Sequence, residues 1–262
     1  MSQCTLRSEA LRLLTLPDVH HKSAVLVALV IEDFDVGELD DIKEPDNLPG
    51  RAARPALVHP RQLKHRSVHS PQGHTALIHA LAHIEANAVN LALDMVWRFS
   101  GLDVSFYAQW MQVAKEEAMH FRLLNQHLAS LGASYGDLPA HDGLWEMAQR
   151  TKADLVARLA LVPRTLEARG LDVSPAIREK LASIGDDAGA AILDIILRDE
   201  IGHVALGNHW YRQVCSAQGL DPIASYASLA KAYRAPVLKG PFNLDARRLA
   251  GFEDVELEAL QG

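Results

Sequence analysis

From Gln72 to Ser216 the chain is organised by apolar residues three and four apart, the spacing that lines one face of an α-helix. Two long helices fit the first part of that stretch, over about 72–99 and 103–131, with Ser100-Gly101 as the break between them. Asp103 is placed to cap the second helix and Gly132 to end it as a C′ glycine. A third helix is predicted from near Asp142 to Ala168, kinked by Pro163 and ended or bent at Gly170, with Ser174-Pro175 restarting a short helical piece. The fourth runs from about Asp186 to Ser216. Asp221-Pro222 repeats the cap-then-proline signature and predicts a short helix over 222–234, and weaker patterns cover 243–250 and 254–260.

Upstream, residues 5–16 and 22–33 have helical spacing, and the apolar run Ala24–Ile31 reads as a buried helix. Residues 35–70 carry Pro45, Pro49, Pro55 and Pro60 with little periodicity, which predicts an extended arm that wraps the surface. No strand pattern is convincing and Gly-rich phosphate loops are absent. The expected chain is therefore all-α in three parts: N-terminal helices and arm (1–71), a bundle of four long helices (72–217), and a helical extension (218–262).

Composition narrows the chemistry. At 48 % hydrophobic and 23 % charged residues, the chain is typical of a folded globular protein. A net charge of −7 gives no overall attraction to nucleic acid or to an anionic membrane, and the run Ala24–Ile31 is too short to cross a bilayer. Cys4 and Cys215 form no disulfide framework or metal-binding spacing, which suits a cytoplasmic protein. Arg51, Arg54, Arg61, Lys64 and Arg66 make the arm basic, but no aromatic residues interleave as in an RNA-binding module, so the arm is expected to be solvated or to clamp a second subunit.

The candidate chemistry lies in two copies of E-x-x-H, Glu117-Ala-Met-His120 and Glu200-Ile-Gly-His203, on the second and fourth long helices. Positions three apart on a helix lie about 60° apart, so each Glu and His share a face and can grip one metal. Both carboxylates interrupt apolar stripes. Glu85 lies in line with Ile78, Leu81, Ala82, Ala88, Val89 and Ala92, and Glu167 with Val156, Leu159 and Ala160. Each long helix thus turns one carboxylate toward the core, where an unpaired one costs several kcal/mol. With only Arg164 near these stripes, protein cations do not neutralise the set, whereas two divalent metals would, with two neutral imidazoles completing the ligands. Glu85 lies 16 residues before Gly101 and Glu117 16 residues after it, which sets the two carboxylates level in an antiparallel pair. Glu167 and Glu200 flank Gly185 in a similar way.

One Glu, then E-x-x-H, then one Glu, then E-x-x-H, over residues 72–216, resembles the di-iron carboxylate members of the ferritin-like superfamily. The arm, Glu-Ala-Arg-Gly-Leu-Asp at 167–172, and Pro-Phe-Asn at 241–243 followed by Ala-Arg at 246–247 resemble an uncharacterised bacterial branch of it. The resemblance implies a ferritin-like antiparallel four-helix bundle in which Glu85, Glu117, His120, Glu167, Glu200 and His203 hold two iron ions, or manganese, with Glu117 and Glu200 bridging. A further acid precedes each motif, and the expected pairing sets Asp199 on the outer ring nitrogen of His120 and Glu116 on that of His203.

The activity implied is that of an oxygen-activating oxidoreductase of hydroxylase or oxygenase type, with dioxygen or peroxide, a small-molecule substrate and an electron donor as partners. The alternative is an iron-binding protein of storage, detoxification or peroxide-scavenging type; the long segments flanking the bundle and the lack of a Cys-rich iron site favour an enzyme. A homo-oligomer is compatible with either. His79 and His83 are expected at the surface or bundle edge, Trp110 in the core, and His127 at most behind the ligands.

Overall fold

A computed structural model describes residues 4–64 and 66–261. The described residues are all-helical, with no strand among them beyond a single bridge between Leu57 and Ala140. The chain divides into two compact units, Met1–Trp145 and Glu146–Gly262.

In the N-terminal unit, α1 (Leu6–Thr15) and α2 (Val19–Ala28) precede the long helices α3 (Pro71–Arg98) and α4 (Val104–Ser130). Local signals explain the ends. Asp18 caps α2 by accepting from His20 N at 2.9 Å, Ser70 caps α3 ahead of Pro71, and Asp103 caps α4 by accepting from Ser105 N at 2.8 Å. Gly101 (φ +76°) turns the chain between α3 and α4, and Gly132 (φ +76°) follows the last turn of α4. α1 packs on α3 and α2 on α4. The core between α3 and α4 is built from Ile78, Val89, Leu93 and Val96 against Phe106, Trp110, Phe121 and Leu124, all buried. α3 is long and apolar enough to span a bilayer, yet 78 % of its most apolar window is buried within the protein, as in the core helix of a helical bundle.

One expectation for this unit is corrected. The run Ala24–Ile31 is not a buried helix: α2 ends at Ala28, Val30 is 49 % exposed, and the buried positions of α2 are Lys22, Ser23 and Leu26. One face of α2 packs inward, and that face begins with a lysine. The extended arm is anchored to the helices it passes. Buried Arg7 on α1 donates to the carbonyls of Gly37 (2.9 Å), Asp40 (2.7 Å) and Trp97 (2.6 Å), tying the arm to the end of α3. Gly50 donates to Leu14 O at 2.9 Å and lies so close to Thr15 that a Cβ there would sit 2.0 Å from the Thr15 carbonyl oxygen.

Helix α5 (Gly143–Arg150) carries the chain from the first unit into the second, where α6 (Leu155–Leu161) begins at Asp154, which caps it by accepting from Ala157 N at 2.9 Å. The predicted third helix is thus broken after Arg150 and does not run unbroken from Asp142. After α6 comes a π-helical turn, Val162–Glu167, and then α7 (Ala168–Ser183). Pro163 lacks the N–H an α-helix needs there, and the Ala168 N–H reaches back five residues to the Pro163 carbonyl. α8 (Asp187–Ala217) returns after Gly185 (φ +80°), and Gly207 is where it meets the π turn: a Cβ on Gly207 would lie 2.6 Å from Pro163 Cβ.

Neither Gly170 nor Ser174-Pro175 interrupts α7. Pro175 leaves the Leu171 carbonyl without its helical donor, and Asn243 Nδ2 donates to that oxygen at 3.2 Å in its place. Around it, Arg247 on α10 (Leu244–Leu249) makes a buried two-pronged ion pair with Asp172 at 2.7 and 2.9 Å, and Asn243 N donates to the same carboxylate at 3.1 Å. Ala246 and Ala250 bury against Ala168, Leu171 and Val204. The remaining helices are α9 (Pro222–Ala232), capped by Asp221, and α11 (Asp254–Gln261).

Candidate metal-binding residues

The N-terminal unit brings Glu85 on α3 together with Glu117 and His120 on α4. The three are buried, and one ligand atom from each lies within 4.8 Å of the others. His120 Nδ1 is 3.3 Å from Glu85 Oε2 and 3.3 Å from Glu117 Oε2. The level placement follows from the equal arms on either side of Gly101.

The electrostatics are those of a crowded anionic site. Burial, and then the negative charge of Glu117, push the Glu85 carboxyl up to about 7, against the opposing pull of His120. For His120, burial disfavours the charged ring, but hydrogen bonds and charge from Glu117 and Glu85 outweigh it and push the imidazolium up to about 12. Two carboxylates crowded in a dry site thus call for positive charge, and here they draw it from the ring of His120. Two oxygens and a nitrogen of this kind are the donor set that first-row divalent metals take.

In the C-terminal unit, Glu167 is the last residue of the π turn and is half-buried, while Glu200 and His203 share one face of α8 and are buried. Arg164, three residues before Glu167, is committed elsewhere: its guanidinium pairs with Glu256 and lies over the rings of Tyr211, Tyr226 and Phe252 at 4.5, 5.5 and 5.1 Å.

Of the two flanking acids, Glu116 accepts from Gln112 Nε2 at 2.8 Å and Asp199 accepts from Arg198 Nε at 2.8 Å. Trp110 is buried in the core, and His127 is half-buried with its ring 6.1 Å from that of His74. His79 and His83 are not at the surface: they are 2 % and 5 % exposed. His79 Nε2 accepts from Gly136 N at 3.0 Å, and His83 Nδ1 hydrogen-bonds the Tyr135 hydroxyl at 2.8 Å. Burial drives both rings toward the neutral form, His83 to about 4. Their work is to satisfy the loop after α4, which no spacing rule within α3 reveals.

A protein from Haemophilus influenzae (strain ATCC 51907 / DSM 11121 / KW20 / Rd), described as "Uncharacterized protein", is 48 % identical to this chain over 235 residues, covering 87 % of this chain and 80 % of the relative. No solved structure matches the chain. Residues 15–258, which include every helix from α2 to α10 and all six candidate ligands, match a family described as "Protein of unknown function (DUF455)". An all-α chain matched over nearly its whole length in this way belongs to that family.

Proposed function

We propose that this chain is a ferritin-like di-iron carboxylate protein that activates oxygen to oxidise a small organic molecule in the cytoplasm. The observation that carries the reading is the convergence of Glu85, Glu117 and His120, two carboxylates and an imidazole within coordination reach of one point in a buried site. The repeated pattern Glu167, Glu200 and His203 supplies a second set of the same composition, so the ligands of two metals are Glu85, Glu117, His120, Glu167, Glu200 and His203. Iron held this way supplies two-electron chemistry toward dioxygen. The chain's own part is to hold the carboxylates in a dry core that favours a cation, and to present the His120 and His203 rings as neutral donors to it. Apolar neighbours such as Phe121, Leu124 and Val204 keep water away.

The test is metal analysis of protein loaded with ferrous iron under anaerobic conditions, followed by optical spectra on adding oxygen. Two irons per chain are expected, and Glu117→Ala or Glu200→Ala should lose at least one while the far-ultraviolet helical signal is kept. Retention of two irons in both variants would contradict the ligand assignment. Rapid oxidation of iron with no organic substrate would move the reading to a ferroxidase or storage protein.

A further inference from the structure

The N-terminal unit contains a cavity of about 490 Å³ between α2, α3 and the arm, on the side of α3 that carries Asn87 and Asn90. On an α-helix Asn87 and Asn90 are turned some 140–160° from Glu85, so this cavity lies away from the carboxylate cluster. Part of the arm that roofs it carries small side chains, Ala52, Ala53 and Ala56, and these leave space open. Its size is in the range that takes a small organic molecule.

The polar groups facing it are mostly cationic or amide. Lys22 is 1 % exposed and spends two donors on Leu14 O (3.3 Å) and Asn90 Oδ1 (2.6 Å), and no carboxylate pairs with it among the described residues. An ammonium carries three donors, so one N–H remains. Arg51 gives one edge of its guanidinium to Asp142 and also lines the cavity, as does Arg54. Burial and the like charge of Arg51 lower the Lys22 ammonium to about 7. Asn87, 2 % exposed, keeps a buried Oδ1 with no partner among the described residues. The one carboxylate among the lining residues, Asp18, is turned to the start of α2, where it accepts from His20 N. A buried lysine beside an arginine, with no carboxylate of its own, is a costly arrangement for structure alone. It is the arrangement a protein needs to grip an oxyanion.

We propose that this cavity binds a small molecule through a phosphate or carboxylate group, with Lys22 and Arg51 holding the oxyanion and Asn87 and Asn90 contacting the body of the ligand. The site is independent of the metal reading, and its test needs no metal. Metal-free full-length protein is titrated with inorganic phosphate, and separately with malonate, at ionic strength matched with chloride, while the unfolding midpoint is followed. A saturable rise of roughly 5 °C is expected with at least one anion. A response to phosphate alone identifies a phosphate ester as the ligand class, and a response to malonate alone a carboxylate. Lys22→Met and Arg51→Gln should each weaken the response tenfold or more, whereas Glu117→Ala should leave it unchanged. Arg51 is partly exposed, so Arg51→Gln tests the same site with a substitution that disturbs the core little. No saturable shift with either anion, or an equal shift in both cavity variants, overturns the proposal.

Discussion

Gly207 sets two physical effects against each other at a single atom. In a helix interior, Gly→Ala ordinarily stabilises by about 1 kcal/mol, because the glycine backbone loses more freedom on folding. At Gly207 the added Cβ would lie 2.6 Å from Pro163 Cβ and 2.9 Å from its Cγ. Carbon atoms rest about 3.5–4.0 Å apart, so the proline ring would have to retreat by about 1 Å, and Pro163 sits in a π turn already fixed by the Ala168 N–H reaching its carbonyl. Overpacking of this kind costs about 1–3 kcal/mol, which cancels or exceeds the propensity gain. Gly202 provides the control on the same helix: a Cβ there would meet nothing within 4 Å and the residue is exposed, so Gly202→Ala should gain close to the full ~1 kcal/mol. The two variants should therefore separate by about 1–3 kcal/mol in chemical denaturation, or roughly 2–12 °C in midpoint for a chain of this size. On the proposed function, Gly207→Ala should also bind iron more weakly, since the displaced turn ends in the proposed ligand Glu167. Equal stabilisation of the two variants would show that α8 does not press on Pro163 and that the π turn owes nothing to that contact.

Other buried polar groups carry consequences that can be measured. Lys22 holds its proton less tightly in the folded chain, at about 7, than at the ordinary 10.5, so between these values the unfolded chain binds more protons and stability rises with pH. The penalty is complete below pH 7 and gone above 10.5; Lys22→Met in phosphate-free buffer should therefore stabilise the protein most at pH 6, with the advantage shrinking by roughly 2–3 kcal/mol by pH 9, and a pH-independent difference counts against it. Asp172→Asn or Arg247→Met, each breaking the buried pair, should cost ~3–5 kcal/mol, while the double apolar variant Asp172→Leu with Arg247→Met recovers much of it; a denaturation cycle that shows simple additivity rules this out. His79→Ala should leave iron content unchanged yet cost about 1–3 kcal/mol, because the Gly136 N–H loses its acceptor; loss of iron would mean that His79 reaches the metal site.

How far the sequence is legible depends on the range of each interaction. Asp103, Gly132, Asp186 and Asp221 announce helix ends because a cap is satisfied within three or four residues, and each stands at such an end in the structure. Glu85, Glu117 and His120 are legible because the turn at Gly101 makes their separation a simple count. Where the partner is distant the local signal misleads. Ser174-Pro175 reads as a helix start, but Asn243, far along the chain, replaces the missing donor and the helix continues. Lys22 stands two residues before the apolar run Ala24–Ile31, yet Asn90 and Leu14, remote from that run, take it inward. His79 and His83 read as surface residues because their acceptors and donors lie in a loop after α4.

The π turn is the case where local and distant effects meet. Counting from Val156 in an unbroken α-helix places Glu167 on the same stripe as Val156, Leu159 and Ala160, but a π turn holds about one residue more per turn and rotates the downstream helix by roughly 100°. Glu167 is accordingly half-buried where Leu159 and Ala160 are fully buried, and α7 emerges with Ala168, Leu171 and Asp172 facing α10. The same rotation that re-aims Glu167 thus presents Asp172 to Arg247. The turn itself is held from three sides, by Gly207 against Pro163, by Glu256 on Arg164, and by the Thr165 hydroxyl, which donates to Ala160 O at 2.8 Å. A rarely used backbone form persists only when its surroundings over-determine it. Here α8 and α11 do so together with the local Thr165 bond, and between them they fix the direction in which the third candidate carboxylate points.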